Sequence, residues 1–250
     1  MIFYFTATGN GKYIAETIAA QTCDRIVNIT DCVQAEQYAF ALEKGEALGF
    51  VVPVYYVGIP MIAVEFLQKL KIAAEWDYYS YAVLNCGGTA GNAEHILRRA
   101  FPVNAVFGIE MVSNYVPSYP MESEAEITAC LEKAEHEIGT IIRHIQDKSV
   151  GSFNEVKGRF PRLTTFVGYP LYQHGRKTNK FTVSEACIGC GLCERICPRK
   201  AIQLTDGTPV WTIPQCEFCL GCLHRCPSAA INYGKQSAGN GRYVNPNTTL

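Results

Sequence analysis

Eight cysteines set the chemistry this chain is built for. Cys187, Cys190, Cys193 and Cys197 are followed by Pro198, and Cys216, Cys219, Cys222 and Cys226 are followed by Pro227. The pattern C-x2-C-x2-C-x3-C-P is written twice, and each copy runs on into a small apolar tail, Ala201 and Ile202 or Ala230 and Ile231. A tight internal repeat of this kind marks two copies of one supersecondary unit. Thiolates are soft ligands, suited to zinc and to the iron of iron–sulfur clusters. Structural zinc takes two C-x2-C pairs per ion, which would leave the third and fourth cysteines of each run oddly placed. Disulfides belong to secreted chains, and eight cysteines this close would make a strained framework. Three thiolates spaced by two residues wrap one corner of a cubane, so the iron–sulfur reading fits best.

The two runs resemble those of the bacterial dicluster ferredoxins, over about the last seventy residues. The resemblance implies two [4Fe–4S] clusters, with the fourth cysteine of each run crossing to the other cluster. Cluster one then takes Cys187, Cys190, Cys193 and Cys226. Cluster two takes Cys216, Cys219, Cys222 and Cys197. Gly189, Gly191 and Gly221 let backbone N–H groups approach the sulfurs, and the prolines end each ligand loop.

A second constellation opens the chain. The apolar run Ile2 to Phe5 reads as a buried strand. Thr6-Ala7-Thr8-Gly9-Asn10-Gly11-Lys12 follows, then a helical pattern with Ile14, Ala15, Ile18 and Ala19 on one face. A strand, a Thr/Gly-rich turn and a helix start form a phosphate cradle, because the first N–H groups of a helix lack partners and carry partial positive charge. The Thr6 and Thr8 hydroxyls and the Asn10 side chain are further donors. The loop resembles the T-x-T-G-N phosphate loop of flavodoxins, with Gly11 where those proteins usually carry Thr or Ser; Lys12 is the nearest substitute donor. That resemblance implies FMN at the carboxyl ends of a sheet in the order 2-1-3-4-5. Two later loops then flank the flavin ring. In one, which opens at Pro53, the aromatics Tyr55 and Tyr56 offer stacking surface and Gly58 close backbone approach. The other holds Asn85, Gly87, Gly88 and Gly91, with Cys86 among them. Tyr115, after the fifth strand, is a third contributor. A plain βα turn, edge-packing tyrosines and a buried thiol are the structural alternatives for these positions.

Around these loops strands and helices alternate. Strands are expected at Arg25 to Ile29, Ala47 to Val52, Tyr79 to Leu84 and Asn104 to Val112. Helices are expected at Ile59 to Leu70, Ala93 to Phe101 and Glu124 to Asp147. Ser123 and Glu126 form a capping box for the last of these, and Gly151 closes it. The fold expected is α/β: a flavodoxin-like, doubly wound, five-stranded parallel sheet over residues 1–150. A basic and aromatic connection over 151–180 leads to a small α+β dicluster ferredoxin-like domain with a polar tail over 181–250. The connection is expected to be partly helical, packed between the domains, its charges facing the cluster surroundings or an acidic partner. Cys23, Cys32, Cys86 and Cys130 lie outside the runs and read as buried packers.

The 250 residues carry a net charge of −1, which gives no footprint for nucleic acid. No apolar run is long enough for a membrane span. The first residues lack the basic flank of a secretory leader, and reduced thiols suit the cytoplasm. The whole arrangement resembles the flavodoxin–ferredoxin fusion proteins of anaerobic bacteria and archaea. The resemblance implies an electron-transfer protein whose two clusters and FMN exchange electrons with redox partner proteins, with room for a homodimer. About eight irons and one FMN per chain are expected. The alternative is an FMN-dependent reductase of a small organic substrate fed by its own clusters, so whether the chain is an enzyme stays open.

Overall fold

The computed structural model describes residues 1–250, the side chain of Gln236 excepted. The first part alternates short apolar strands with helices: β1 Ile2–Tyr4, α1 Asn10–Thr22, β2 Ile26–Asn28, α2 Ile29–Gln34, β3 Ala39–Ala41, β4 Leu48–Pro53, α3 Met61–Lys69, β5 Lys71–Ala73, β6 Ser80–Cys86, α4 Ala93–Ala100, β7 Ala105–Glu110, α5 Glu124–Gln146 and β8 Gly151–Phe153. Six strands form the central sheet in the order β2-β1-β4-β6-β7-β8, and every pair is parallel. β3 and β5 make a separate parallel pair. All of β6 is buried, as a strand covered on both faces must be. Alternate side chains feed two cores. Phe3, Phe50, Phe66 and Leu84 lie on one face, against α3 and α4. Ile14, Ile18, Val83, Phe107 and Ile138 lie on the other, with α1 and α5. Strand order reverses between β1 and β4, which opens a crevice at their carboxyl ends.

The expected five strands become six. β8 pairs with β7 through Gly151, Ser152 and Phe153. Three residues at a sheet edge, one of them Gly, carry too little periodicity to read as a strand. Gly151 therefore opens β8 rather than closing α5. That helix begins with its Ser123–Glu126 capping box and ends at Gln146; beyond it Lys148 takes a left-handed φ of 51° and the N–H of Ser149 reaches the carbonyl of His144 at 2.9 Å.

The connection is one helix, α6 Pro161–Gly175, followed by β9 Phe181–Val183, α7 Leu192–Arg195, β10 Ile202–Thr205, β11 Thr208–Trp211, α8 Gly221–His224 and β12 Ile231–Tyr233. β9 pairs with β12 and β10 with β11, both antiparallel. Each cysteine run thus lies between two strands with a one-turn helix inside it, as a duplicated unit demands. The polar tail lies on α1. Tyr243 and Asn245 are buried, and the N–H of Asn245 bonds the carbonyl of Thr8 at 2.7 Å.

Candidate functional site

A cavity of about 530 Å³ occupies the crevice at the carboxyl ends of β1, β4, β6 and β7. Of the positions expected to hold a flavin, Thr6, Thr8, Asn10, Gly11, Pro53, Tyr55, Tyr56, Asn85, Gly87, Gly88 and Tyr115 line it. Gly9, Lys12, Gly58 and Gly91 stand outside its wall, each for a local reason. A Cβ on Gly9 would meet the Asn245 Cβ at 2.8 Å. The Lys12 ammonium bonds the Thr249 carbonyl and Glu16. Gly58 lies under the ring of Tyr169, and Gly91 lies against Val57 and Thr165. These two glycines admit α6, and the flavin-contact expectation for them came from loop composition alone.

The donors suit a phosphate. Thr6 Oγ1 accepts from the N–H of Gly9 at 3.0 Å, and Thr8 Oγ1 accepts from Asn114 Nδ2 at 2.7 Å. Each hydroxyl therefore keeps its own proton to donate. The first N–H groups of α1 are orphaned by helix geometry and stand at the positive end of its dipole. Gly11 is required here, because a Cβ would lie 2.5 Å from the Phe5 carbonyl oxygen. Asn10 behaves differently from the sequence reading. Its side-chain N–H₂ bonds the Val112 carbonyl at 3.2 Å, and its Oδ1 accepts from Tyr243 and Asn245 at 2.7 and 3.0 Å. It ties the loop to the tail, and the residue still lines the cavity.

Further in, Asn85 Nδ2 is buried with no partner. A buried orphan donor costs about 1–3 kcal/mol, and this one belongs to a side chain in the cavity wall, where an acceptor on a polar ring would satisfy it. Cys86 also lines the cavity, and burial pushes its thiol up to about 11, which leaves it a protonated wall residue at neutral pH.

The aromatic side of the cavity is held under strain. Tyr55 and Gly58 exchange two backbone hydrogen bonds around Tyr56 and Val57, both left-handed with φ of 49° and 59°. Two such residues in a row favour Asn and Gly, and a β-branched Val there is an outlier. α6 keeps the turn in place. Thr165 Oγ1 donates to the Val57 carbonyl at 2.7 Å and Tyr169 OH to the Ile59 carbonyl at 2.7 Å. The result is a tyrosine cluster. Tyr56 stacks on Tyr172 at 6.0 Å between centroids, meets Tyr115 edge-on at 5.4 Å, and shares a hydroxyl–hydroxyl hydrogen bond with Tyr115.

Two smaller cavities lie in the C-terminal part. Cys187, Cys190, Cys193 and Cys226 line one; Cys197, Cys216, Cys219 and Cys222 line the other. The fourth cysteine of each run thus stands in the other run's cavity. Four soft thiols around each cavity are the donor set a [4Fe–4S] cubane takes. Backbone donors point at the sulfurs at equivalent places in the repeat. The N–H of Ala201 reaches Cys197 Sγ at 3.2 Å, and that of Ala230 reaches Cys226 Sγ at 3.3 Å. Burial pushes the Cys216 thiol up to about 11 and holds Cys219 and Cys222 higher still. Burial also opposes ionisation of Cys226, yet hydrogen bonds from Ser228 and the nearby backbone bring it below the ordinary thiol range.

The repeats differ at one informative place. Gly189 and Gly191 are left-handed in the first run, and Phe218 and Leu220 take the same conformation at the matching positions of the second. Left-handed backbone costs a residue with a Cβ roughly 1–2 kcal/mol. Both bulky side chains reach the large cavity, and Cys219 between them lines that cavity as well as the second cysteine cavity. Glu217, beside them, is fully buried. It accepts from Tyr172 OH at 2.5 Å, the N–H of Ile62 at 3.2 Å and Arg199 at 2.7 Å. Sequence reasoning passed over Glu217, Phe218 and the tail; an acidic residue between two ligand cysteines, with Arg199 after the first run, was the available signal.

A family model described as the flavodoxin domain matches residues 1–101, and one described as the 4Fe-4S dicluster domain matches residues 174–231. The chain is a flavodoxin–ferredoxin fusion. No curated protein matches it. Electron transfer is the role such domains support, with a flavin in the first and 4Fe–4S chemistry in the second. In the fusion, the dicluster match spans all eight run cysteines, and the flavodoxin match spans the first three loops of the large cavity. The loop at Met111–Tyr115 and the tail lie beyond both matches.

Proposed function

We propose that this fusion relays electrons within one chain, between two [4Fe–4S] clusters and FMN. When bound, FMN takes one or two electrons and each cluster takes one. The single observation that supports the relay is the place of Cys219, in the wall of the flavin-type cavity and of the second cysteine cavity at once. Cluster two, on Cys216, Cys219, Cys222 and Cys197, is the neighbour of the flavin. Cluster one, on Cys187, Cys190, Cys193 and Cys226, is the outer station, where Ile188 is 67 % exposed and redox partner proteins have access. Thr6, Thr8 and the start of α1 would hold the phosphate, Asn85 would supply a donor to a polar group of the ring, and the tyrosines would exclude water. The boundaries 1–150, 151–180 and 181–250 approximate the flavin unit, the α6 connection and the cluster unit, with β8 at Gly151–Phe153 belonging to the sheet of the first. Thiols that must stay reduced suit a cytoplasmic, anaerobic setting.

The test is an anaerobic redox titration of the purified chain. Iron near eight and flavin near one per chain are expected, with flavin bleaching that follows cluster reduction in rapid mixing. Zinc in place of iron, or a flavin that stays oxidised beside reduced clusters, would overturn the relay. Substrate-dependent reoxidation by a small organic molecule would assign the chain to the reductases.

A further inference from the structure

α6 is apolar on both faces. Its inner face, Thr165, Tyr169 and Tyr172, is buried against the flavin-type cavity and Glu217. Its outer face carries Leu163, Val167 and Leu171 at helical spacing, with Phe160 and Phe166 beside them, and these five are 56–79 % exposed. The stripe runs for about 16 Å along the helix. A helix that is apolar all round is one that something covers, and a contiguous exposed apolar patch marks a protein or membrane contact.

The charges around the stripe select the cover. Lys157, Arg159 and Arg162 stand at one end, and Lys177 and Lys180 follow the other, all exposed. The segment from Val156 to Ser184 contains no Asp or Glu. None of these five cations is ion-paired among the described residues. A second copy laid on this helix, parallel or antiparallel, would set cation against cation. The cover is therefore anionic. It also needs few hydrogen bonds from the stripe. Thr164 Oγ1 bonds the carbonyls of Phe160 and Pro161 at 3.1 Å each, and His174 Nδ1 bonds the Pro170 carbonyl at 2.8 Å. A protein interface carries roughly one hydrogen bond per 100–200 Å², and these polar side chains are turned back on their own helix. Hydrocarbon asks for none.

From the exposed apolar ridge with unpaired cations at both ends, we infer that the outer face of α6 seats the protein on an anionic lipid surface. No helix of the described residues is long and apolar enough to cross a membrane, so α6 lies in the interface plane, with Phe and Leu in the acyl boundary and Lys and Arg at the headgroups. The inference does not depend on the redox reading, because the five residues of the stripe and the five cations beside it lie outside the cofactor cavities.

Vesicle flotation of the full, cofactor-loaded chain under anaerobic conditions tests it. The protein is expected to float with phosphatidylcholine–phosphatidylglycerol vesicles, to stay behind with phosphatidylcholine alone, and to be released by salt. A double variant, Arg159→Gln with Arg162→Gln, is expected to weaken partition roughly thirtyfold, from about one kcal/mol per cation. Leu163→Ser with Phe166→Ser is expected to abolish it, with flavin and cluster spectra unchanged as proof of folding. Failure to float, equal partition to neutral vesicles, or a wild-type dimer that the Leu163→Ser, Phe166→Ser variant dissolves would each overturn the inference.

Discussion

The second cysteine run shows how single residues adapt a duplicated motif to a neighbour. The same left-handed positions are glycine in the first copy and Phe218 and Leu220 in the second, so the backbone strain is confined to the copy whose side chains wall the large cavity. Leu220→Gly removes that strain, roughly 1 kcal/mol, and removes a wall residue at the same time. We expect iron per chain to hold while bound FMN falls several-fold; a parallel loss of iron would mean that Leu220 serves the cluster instead. Asn85 gives a sharper test, since its buried Nδ2 has no protein partner. Replacing it by Leu relieves an orphan donor in the protein without FMN and removes the proposed ring contact in the loaded one. Asn85→Leu is therefore expected to raise the melting temperature without FMN and to weaken FMN about tenfold, the effect of one buried hydrogen bond. Equal shifts with and without FMN would show that Asn85 has no ligand.

At the scale of elements, α8 and the tail are joined by one histidine. His224 is buried in α8. Its Nε2 donates to the Asn114 carbonyl at 2.8 Å, and its Nδ1 accepts from the N–H of Tyr243 at 3.1 Å, so the two bonds define a neutral ring. Burial lowers its pKa from 6.5 to about 4. As pH falls through 6.5 the unfolded chain takes up a proton that the folded chain refuses, so this contribution is complete above 6.5 and is lost towards 4. The loss is about 3 kcal/mol at most. Denaturation across this window should show a steeper fall for wild type than for His224→Gln, which does not titrate; matched slopes would remove His224 from the account. Little of this joint was legible in the sequence. The buried strands β1, β4 and β6, the capped helix α5 and both cysteine runs were readable, because periodicity, capping and ligand spacing are local signals. β8 was hidden by its length. Gly58 and Gly91 looked like flavin contacts because composition cannot say whether a small residue admits a ligand or a helix. Asn10 looked like a phosphate donor because its partners, Tyr243 and Asn245, come from the far end of the chain.

Across the whole molecule, the flavin unit, α6 and the cluster unit meet at a buried carboxylate. Glu217 bonds Ile62 in α3, Tyr172 in α6 and Arg199 after the first cysteine run, and Arg199 continues to Glu65 of α3 at 2.6 Å. α3, 155 residues before Glu217 at Ile62, is thus registered with α6 and the cluster unit by one charged cluster beside Cys216 and Cys219. A buried ion of this kind contributes little net stability when intact, and costs much when half of it is removed. Arg199→Met leaves Glu217 with two neutral donors and with Arg176 at 4.0 Å, and should destabilise the chain by about 3–5 kcal/mol. Glu217→Gln in the Arg199→Met background removes the stranded charge, keeps an acceptor for Tyr172, and should recover a good part of that loss. The same pair of variants reports on the proposed relay, because the clamp holds the second cysteine cavity against the flavin-type cavity. In rapid mixing, flavin bleaching should lag cluster reduction in Arg199→Met and approach wild-type timing in the double variant. If the two substitutions prove additive in melting temperature and bleaching never lags, Glu217 is a passive buried residue, and the register between the units is set by the tyrosines of α6 alone.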